Sequence, residues 1–280
     1  MNQMRAMAPT YELKDVLVRI ENVSLSFDGR PVLTSINAEV RDIVRPGCEQ
    51  GQVIGILGPS GVGKTLLSRI LSGLQAPTTG TVTVGAQGEP VRAGVVGHVA
   101  QHYPLLRHRT VLGNLTVAAR QKGASEKDAV GKSLEYLARF DLSDKADAWP
   151  SELSGGQRQR VAIAQQLLCS DHFLVLDEPF TGLDPVMKDR VSDLIRQVSL
   201  LHEHNTIFVV AHDLAAVTSV ADTLWLIGRT RAPTGEPLGS TIVQVYDLIE
   251  RGIAWNTASH KTRVFDDLLH EVRARFDTLL

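Results

Sequence analysis

The feature that most limits what this chain can fold into is a short apolar run, Val53-Ile54-Gly55-Ile56-Leu57, that ends in Gly58-Pro59-Ser60-Gly61-Val62-Gly63-Lys64-Thr65. The run is too short for a helix and rich in β-branched residues, which predicts a fully buried central strand. From Thr65 to Leu74, apolar residues recur at Leu66, Leu67, Ile70, Leu71 and Leu74, the spacing of one helix face. The glycines therefore join a strand to a helix, and the segment fits the pattern G-x-x-x-x-G-K-[ST]. Glycines at Gly58, Gly61 and Gly63 let the backbone wrap closely and aim its N–H groups at phosphates, while the helix adds the positive end of its dipole. Lys64 would place a point charge on the β and γ phosphates, and the Thr65 hydroxyl would ligate Mg²⁺. The plainer alternative is a glycine-rich turn that holds nothing, and the strand-to-helix context speaks against it.

Upstream, apolar residues alternate at Val16, Val18 and Ile20 and again at Val23, Leu25 and Phe27, before Asp28-Gly29-Arg30-Pro31. This predicts a strand and a hairpin, with a further strand near Val32 to Val40. Arg41 to Gln52 is polar, contains Pro46, Gly47 and Gly51, and reads as a surface loop. Between Gln101 and Leu153 the pattern turns helical, with segments at Val111 to Gln121 and Glu126 to Phe140 broken by Gly123 and Pro150. The α/β alternation then resumes: a helix over Gly156 to Cys169, a strand over Phe173 to Leu176, a helix over Pro185 to His202 and a strand over Thr206 to Val210. Such alternation predicts a parallel sheet covered by helices. After a turn-rich stretch from Gly228 to Gly239, an amphipathic helix is expected along Val264, Leu268, Val272 and Phe276, with Phe265 and Leu269 beside them.

Two further segments carry chemistry. Phe173-Leu174-Val175-Leu176-Asp177-Glu178 sets two carboxylates at the end of a buried strand, where open α/β sheets bind ligands. Asp177 can hold Mg²⁺, directly or through water, and Glu178 can act as general base on the water that attacks the γ-phosphate. Leu153-Ser154-Gly155-Gly156-Gln157 places a capping serine and two glycines at the start of a helix, either a capped helix and nothing more or a second anion site.

With this last motif the chain resembles the nucleotide-binding domain of the ATP-binding cassette (ABC) family, over nearly the whole of Val18 to Leu226. The resemblance implies an α/β fold: a P-loop NTPase (RecA-like) core with an N-terminal antiparallel β subdomain and an inserted helical lobe at about 102–155. It implies a nucleotide-binding domain over 1–240 and leaves 241–280 as a C-terminal helical tail. In the family, the Ser154 to Gln157 signature closes over ATP bound to a second subunit, so a composite site in a twofold pair, here a homodimer, is implied. Gln101 matches the glutamine that senses Mg²⁺ and the attacking water and relays the state of the site to a transport partner. Thr181-Gly182-Leu183-Asp184 looks like the D-loop, and His212 matches the histidine that contacts the γ-phosphate. Phe27 lies where the family stacks an aromatic ring on adenine, although an aromatic at alternating strand spacing is equally a core residue.

The sequence departs from the family pattern in two places. Arg41 to Gln52 lengthens the connection before the phosphate loop, and Gln165-Gln166 stands where an arginine and a small residue are usual. Neither change touches a phosphate ligand.

Composition narrows the setting. With 29 basic and 31 acidic residues, the 280-residue chain has no cationic field with which to grip nucleic acid, so no nucleic-acid partner is expected. Cys48 and Cys169 are far apart and His98, His102 and His108 match no ligand spacing, so neither a disulfide framework nor a zinc site is signalled. Met1 to Asp15 lacks the apolar core of a secretory signal, and no run of 18 apolar residues occurs. One cassette without membrane spans or a coiled-coil insertion resembles the separate ATPase subunit of a bacterial importer. The short tail is similar to that of the nitrate, sulfonate and taurine group. The implied partners are a transmembrane permease and a substrate-binding protein, at the cytoplasmic face of the inner membrane. Two other readings stand beside this one: a soluble ABC ATPase acting on a macromolecular complex, and a module that binds ATP without turning it over.

Overall fold

In the computed structural model, which describes residues 11–44, 51–170, 172–231, 237–254, 262–276 and 279, the strands form one continuous sheet. Its order is β5-β4-β1-β2-β10-β9-β3-β8-β7-β6. The parallel half holds β3 (Gln52–Leu57), β6 (Gly97–Val99), β7 (Phe173–Asp177), β8 (Thr206–Val210) and β9 (Thr223–Arg231). Every residue of β3, β7 and β8 is buried, as expected of strands covered on both faces and written as apolar runs.

The antiparallel half is built on β1 (Glu12–Phe27) and β2 (Arg30–Val44), with β4 (Thr79–Val84) and the short β5 (Glu89–Pro90) beyond β1. The two groups of alternating residues expected before Asp28 belong to one strand, not two. Its register shifts between Ile20 and Val23, where Asn22 has φ +48°, so a bulge absorbs the break in alternation. Asparagine tolerates that left-handed backbone better than most residues do.

Two expectations are corrected. Arg41 to Gln52 is not a loop throughout: β2 runs on to Val44, pairing Arg41 with Val16 and Val44 with Glu12. Of the polar residues at its end, Arg41 is exposed and Asp42 is buried. Pro46, Gly47 and Cys48 lie outside the described residues. The segment from 241 is not wholly helical either, because β10 (Pro237–Asp247) pairs antiparallel with β9 and meets β2 in parallel at Ser240 and Leu33. Gly228 to Gly239, read as turns, contains the end of β9 and the start of β10. The glycines and prolines there masked a hairpin whose strand character comes from Thr241, Ile242 and Val243. The terminal helix α7 (Arg263–Phe276) buries Phe265, Leu268, Leu269 and Val272, while Val264 faces out at 49% exposure.

Helices α1 (Lys64–Leu71), α2 (Val111–Gln121), α3 (Glu126–Arg139), α4 (Gly155–Cys169), α5 (Pro185–Ser199) and the short α6 (Leu214–Thr218) complete the chain with α7. Thr110 and Ser125 cap α2 and α3 by accepting from Gly113 N and Asp128 N, which fixes where the helical lobe begins. Two apolar clusters result. One, around Ile54, Ile56, Leu67, Ile70 and Phe208, joins the antiparallel half to α1; the other, around Leu115, Leu137, Val161, Leu176 and Val209, joins the helical lobe to the parallel half.

Candidate functional site

The site forms where β3, β7 and β8 end. Gly63 caps α1 in a left-handed conformation, φ +93°, and a Cβ there would stand 2.9 Å from Leu33 Cδ2. At Gly58 a Cβ would meet Ile227 O at 2.4 Å, so only glycine lets the loop lie this close to β9. No side chain caps α1 and no acidic residue stands in its first turn, which leaves a bare helix N-terminus. Lys64 is buried and arches back over the loop, its Nζ donating to Gly58 O at 2.8 Å and Pro59 O at 3.0 Å. Burial pulls its pKa below the ordinary lysine range, opposed by the charges of Glu178 and Asp177. Ser60 and Gly61 are exposed at the loop's tip, and Val62 anchors it in the core at 1% exposure.

Asp177 closes β7 at 6% exposure. Its Oδ2 lies 3.5 Å from the Ser68 hydroxyl, and its buried Oδ1 has no hydrogen-bond partner. Burial pushes its pKa up, with a further push from Glu178; hydrogen bonds from Ser68 and Thr65 and the charge of Lys64 pull the other way. A buried carboxylate oxygen left unpartnered beside a threonine hydroxyl is a donor set of hard oxygens, which suits Mg²⁺ and not a softer metal. Glu178 follows with φ +54°, an uncommon backbone for a residue with a side chain, and its N–H donates to Val210 O at 2.7 Å. The Glu178 Oε2 accepts from His212 Nδ1 at 2.8 Å and from the Thr181 hydroxyl at 2.8 Å. Parallel pairing of β7 with β8 sets Asp177 opposite Val210, so His212, two residues past the end of β8, arrives beside Glu178.

Other expected residues fall elsewhere. Ser154 caps α4: its hydroxyl accepts from Gln157 N at 3.3 Å while Gln157 Oε1 accepts from Ser154 N at 2.9 Å. The capped-helix reading thus holds, and Ser154 and Gly155 are exposed, with nothing within 4 Å of a Cβ placed on Gly155 and only Met187 Cε that near one on Gly156. Among the described residues, no hydrogen bond links any of residues 154–157 to the phosphate loop of the same chain. Gln101 is exposed in the turn after β6 and makes no hydrogen bond to Asp177 or Thr65. Phe27 is 47% exposed, which removes its reading as a core residue. It ends β1 opposite Arg30, in the hairpin whose Val32 and Leu33 pack toward Gly63.

Sequence reasoning passed over several contributors. Ser68 reaches Asp177 from one turn into α1, and Thr181, noted only as part of the D-loop, holds Glu178. Arg229 on β9 donates to Gly61 O at 3.3 Å, a contact between residues 168 apart that no local pattern signals. Gln166, one of the two departures from the family pattern, accepts from His98 N at 3.1 Å and so holds edge strand β6 against α4. Asp184 caps α5 by accepting from Met187 N.

Among the described residues, no helix is long and apolar enough to cross a membrane. Residues 42–181 match the family profile described as ABC transporter. The sulfate/thiosulfate import ATP-binding protein CysA 2 of Rhizobium meliloti is 35% identical over 76% of this chain and 57% of its own length. The sulfate/thiosulfate import ATP-binding protein CysA of Pseudomonas syringae is 36% identical over 76% of this chain and 64% of its own. The matched region therefore spans roughly three fifths of these relatives. The L-cystine transport system ATP-binding protein TcyN of Escherichia coli is 36% identical over 73% of this chain and 84% of its own length. Among solved structures, cbiO1 from Clostridium perfringens, part of the ABC transporter complex cbiONQ, superposes with a TM-score of 0.71 over 94% of this chain and 99% of that one. At 23% identity that likeness speaks for the fold. A phosphate loop, a carboxylate pair, a capped signature helix and these relatives point one way: the chain belongs to the ABC transporter family.

Proposed function

We propose that the chain is the ATP-binding and ATP-hydrolysing subunit of a membrane transporter, an importer like the relatives named above, and that its ATP sites are completed by a second copy. The observation that carries this is the Glu178–His212–Thr181 cluster, set beside a buried lysine on a bare helix N-terminus. The N–H groups of Gly61 to Thr65 would take the phosphates and Lys64 would neutralise them. When bound, Mg²⁺, which Thr65 and Asp177 would hold, would supply positive charge against the charge that develops on the phosphates. Both bonds to Glu178 fall on Oε2, so Oε1 is the atom that receives the proton of an attacking water. Thr181 and His212 fix that carboxylate's direction. A module that merely holds ATP would have no use for a carboxylate oriented in this way.

Ser154 to Gln157 would cover the phosphate loop of the partner copy, which fits their exposure and their distance in bonding from their own loop. The membrane subunit would dock on the helical lobe, at a groove of about 630 Å³ lined by Tyr103, Pro104, Leu105, Arg107, Pro150 and Arg158. Leu105 is half-buried in this groove, beside the exposed arginines Arg107 and Arg158. This chemistry fits a segment with apolar side chains and an acidic residue. The chain would thus sit at the cytoplasmic face of the membrane through its partner.

The test is ATP turnover by the purified chain with Mg²⁺. Glu178→Gln keeps the hydrogen bonds but cannot take a proton, so turnover should fall by roughly 10² to 10⁴ while ATP binding persists. Turnover at the parent rate in that variant would end the assignment of Glu178 as base.

A further inference from the structure

The peptide after Glu178 is held from the helical lobe. The Tyr103 hydroxyl donates to Pro179 O at 3.3 Å, and Gln159 Nε2, on a side chain only 3% exposed, donates to the same oxygen at 3.4 Å. That carbonyl belongs to the residue next to Glu178, whose left-handed backbone, φ +54°, stands only where its surroundings over-determine it. Val210 O fixes the Glu178 N–H on one side, and the Tyr103 and Gln159 donors fix the following carbonyl on the other. Tyr103 is itself left-handed, φ +47°, and its ring lines the groove between the turn after β6 and Pro150. Burial pushes its hydroxyl up to about 12, so it stays a donor throughout the neutral range.

We infer that Tyr103 is a positioning residue for hydrolysis: through Pro179 O it holds the Glu178 backbone in the conformation that aims the carboxylate, and it does so from the floor of the groove. The inference rests on Glu178 being the general base. Neither Tyr103 nor Gln159 touches the phosphate loop through the bonds described, so ATP affinity is independent of this bridge. Its location also exposes the general base to whatever fills the groove, because a group pressing on the Tyr103 ring shifts a hydroxyl one residue from Glu178.

The deciding measurement is steady-state ATPase kinetics of the full chain with Tyr103→Phe, which removes the hydroxyl and keeps the ring. We expect kcat to fall about fivefold, the worth of one hydrogen bond, with KM for ATP unchanged. The effect should vanish in a Glu178→Gln background, where residual turnover is the same with tyrosine or phenylalanine at 103, because Tyr103 acts through Glu178. Gln159→Met, removing the second donor, should also lower kcat and leave KM unchanged. A purely structural Tyr103 would raise KM or lower turnover equally in both backgrounds. Parent kcat in Tyr103→Phe, or an equal loss in the Glu178→Gln background, overturns the inference. If Glu178→Gln itself turns over at the parent rate, the reading of the base fails instead, and the two failures are told apart by that single variant.

Discussion

The phosphate loop and the signature helix are both helix N-termini with glycines, yet they are built in opposite ways. At α1 the cap is a glycine without a side-chain acceptor, and the charge nearby comes from a buried lysine bonded to its own loop. At α4 the serine and Gln157 satisfy each other's backbone in a reciprocal box, and the surface above them is open. The first end therefore has unsatisfied donors and a cation but needs an anion; the second is already content and needs nothing to stay folded. A site that carries charge and a site that carries exposed shape make sense as two halves of one pocket contributed by different copies. The difference also says where mutations should hurt: at α1 they should abolish binding, and at α4 they should abolish pairing.

The largest break expected in this comparison is at Lys64. Lys64→Ala removes the cation beside the bare N-terminus and should weaken ATP binding by a factor of about 10² or more, read by calorimetry. Unchanged affinity would mean that α1 and α4 do not differ in the way described. Next comes the pairing itself. With hydrolysis blocked by Glu178→Gln, ATP should drive two chains together on size exclusion, and adding Ser154→Arg should abolish the dimer while leaving ATP affinity per chain within about threefold, since the Ser154 side chain bonds only within its own cap. A Glu178→Gln protein that stays monomeric with ATP would break the idea of two halves.

A smaller effect separates the lobe from the core. Arg107→Glu reverses a charge on the groove's rim without touching Tyr103 or Leu105, so basal turnover should not change. Association with membranes carrying the co-expressed membrane subunit should fall by about tenfold, and more gently in high salt, as expected for a rim charge. Equal association at low and high salt would remove the electrostatic part of the docking surface.

How much of this could be read beforehand follows from where the determinants sit. The phosphate loop, the strand bearing Asp177 and the signature are contiguous, and their periods are clean, so β7, β8 and α2 appear in the structure at or within a residue of their expected bounds. What stayed hidden depends on contacts between distant residues or on backbone that local propensity does not favour. Arg229 meets Gly61, Tyr103 and Gln159 meet Pro179, and Thr181 meets Glu178 around a backbone turn that propensity does not favour. Strands β9 and β10 were obscured because a hairpin rich in glycine and proline resembles a loop until a partner strand is present. Phe27 shows the limit of periodicity from the other side: strand spacing made it a core candidate, but it is the last residue of β1 before the turn to Arg30 and stands 47% exposed.

The smallest and most discriminating effect concerns stability without nucleotide or metal. Asp177 is a buried carboxylate with one oxygen unpartnered, and its pKa is raised by burial and by Glu178. A carboxylate whose folded pKa lies above its unfolded one binds protons more tightly in the folded chain. The folded state then gains stability as pH falls through that raised pKa toward the ordinary aspartate range, and loses it as pH rises back through the raised pKa. Asp177→Asn removes the charge and keeps the shape, so in a chelator it should raise the melting temperature at pH 8, and the gain should be smaller at a pH below the raised carboxyl pKa. The same variant should forfeit the extra stability that Mg²⁺ and ATP give the parent. Ser154→Ala provides the counterpart at the other helix. It removes a cap worth about 1 kcal/mol, should lower the melting temperature by roughly 2 to 4 °C, and should do so equally at both pH values, because no charge is involved. A pH-independent change in Asp177→Asn, or a pH-dependent one in Ser154→Ala, would contradict the assignment of stored charge to the phosphate half and neutral capping to the signature half.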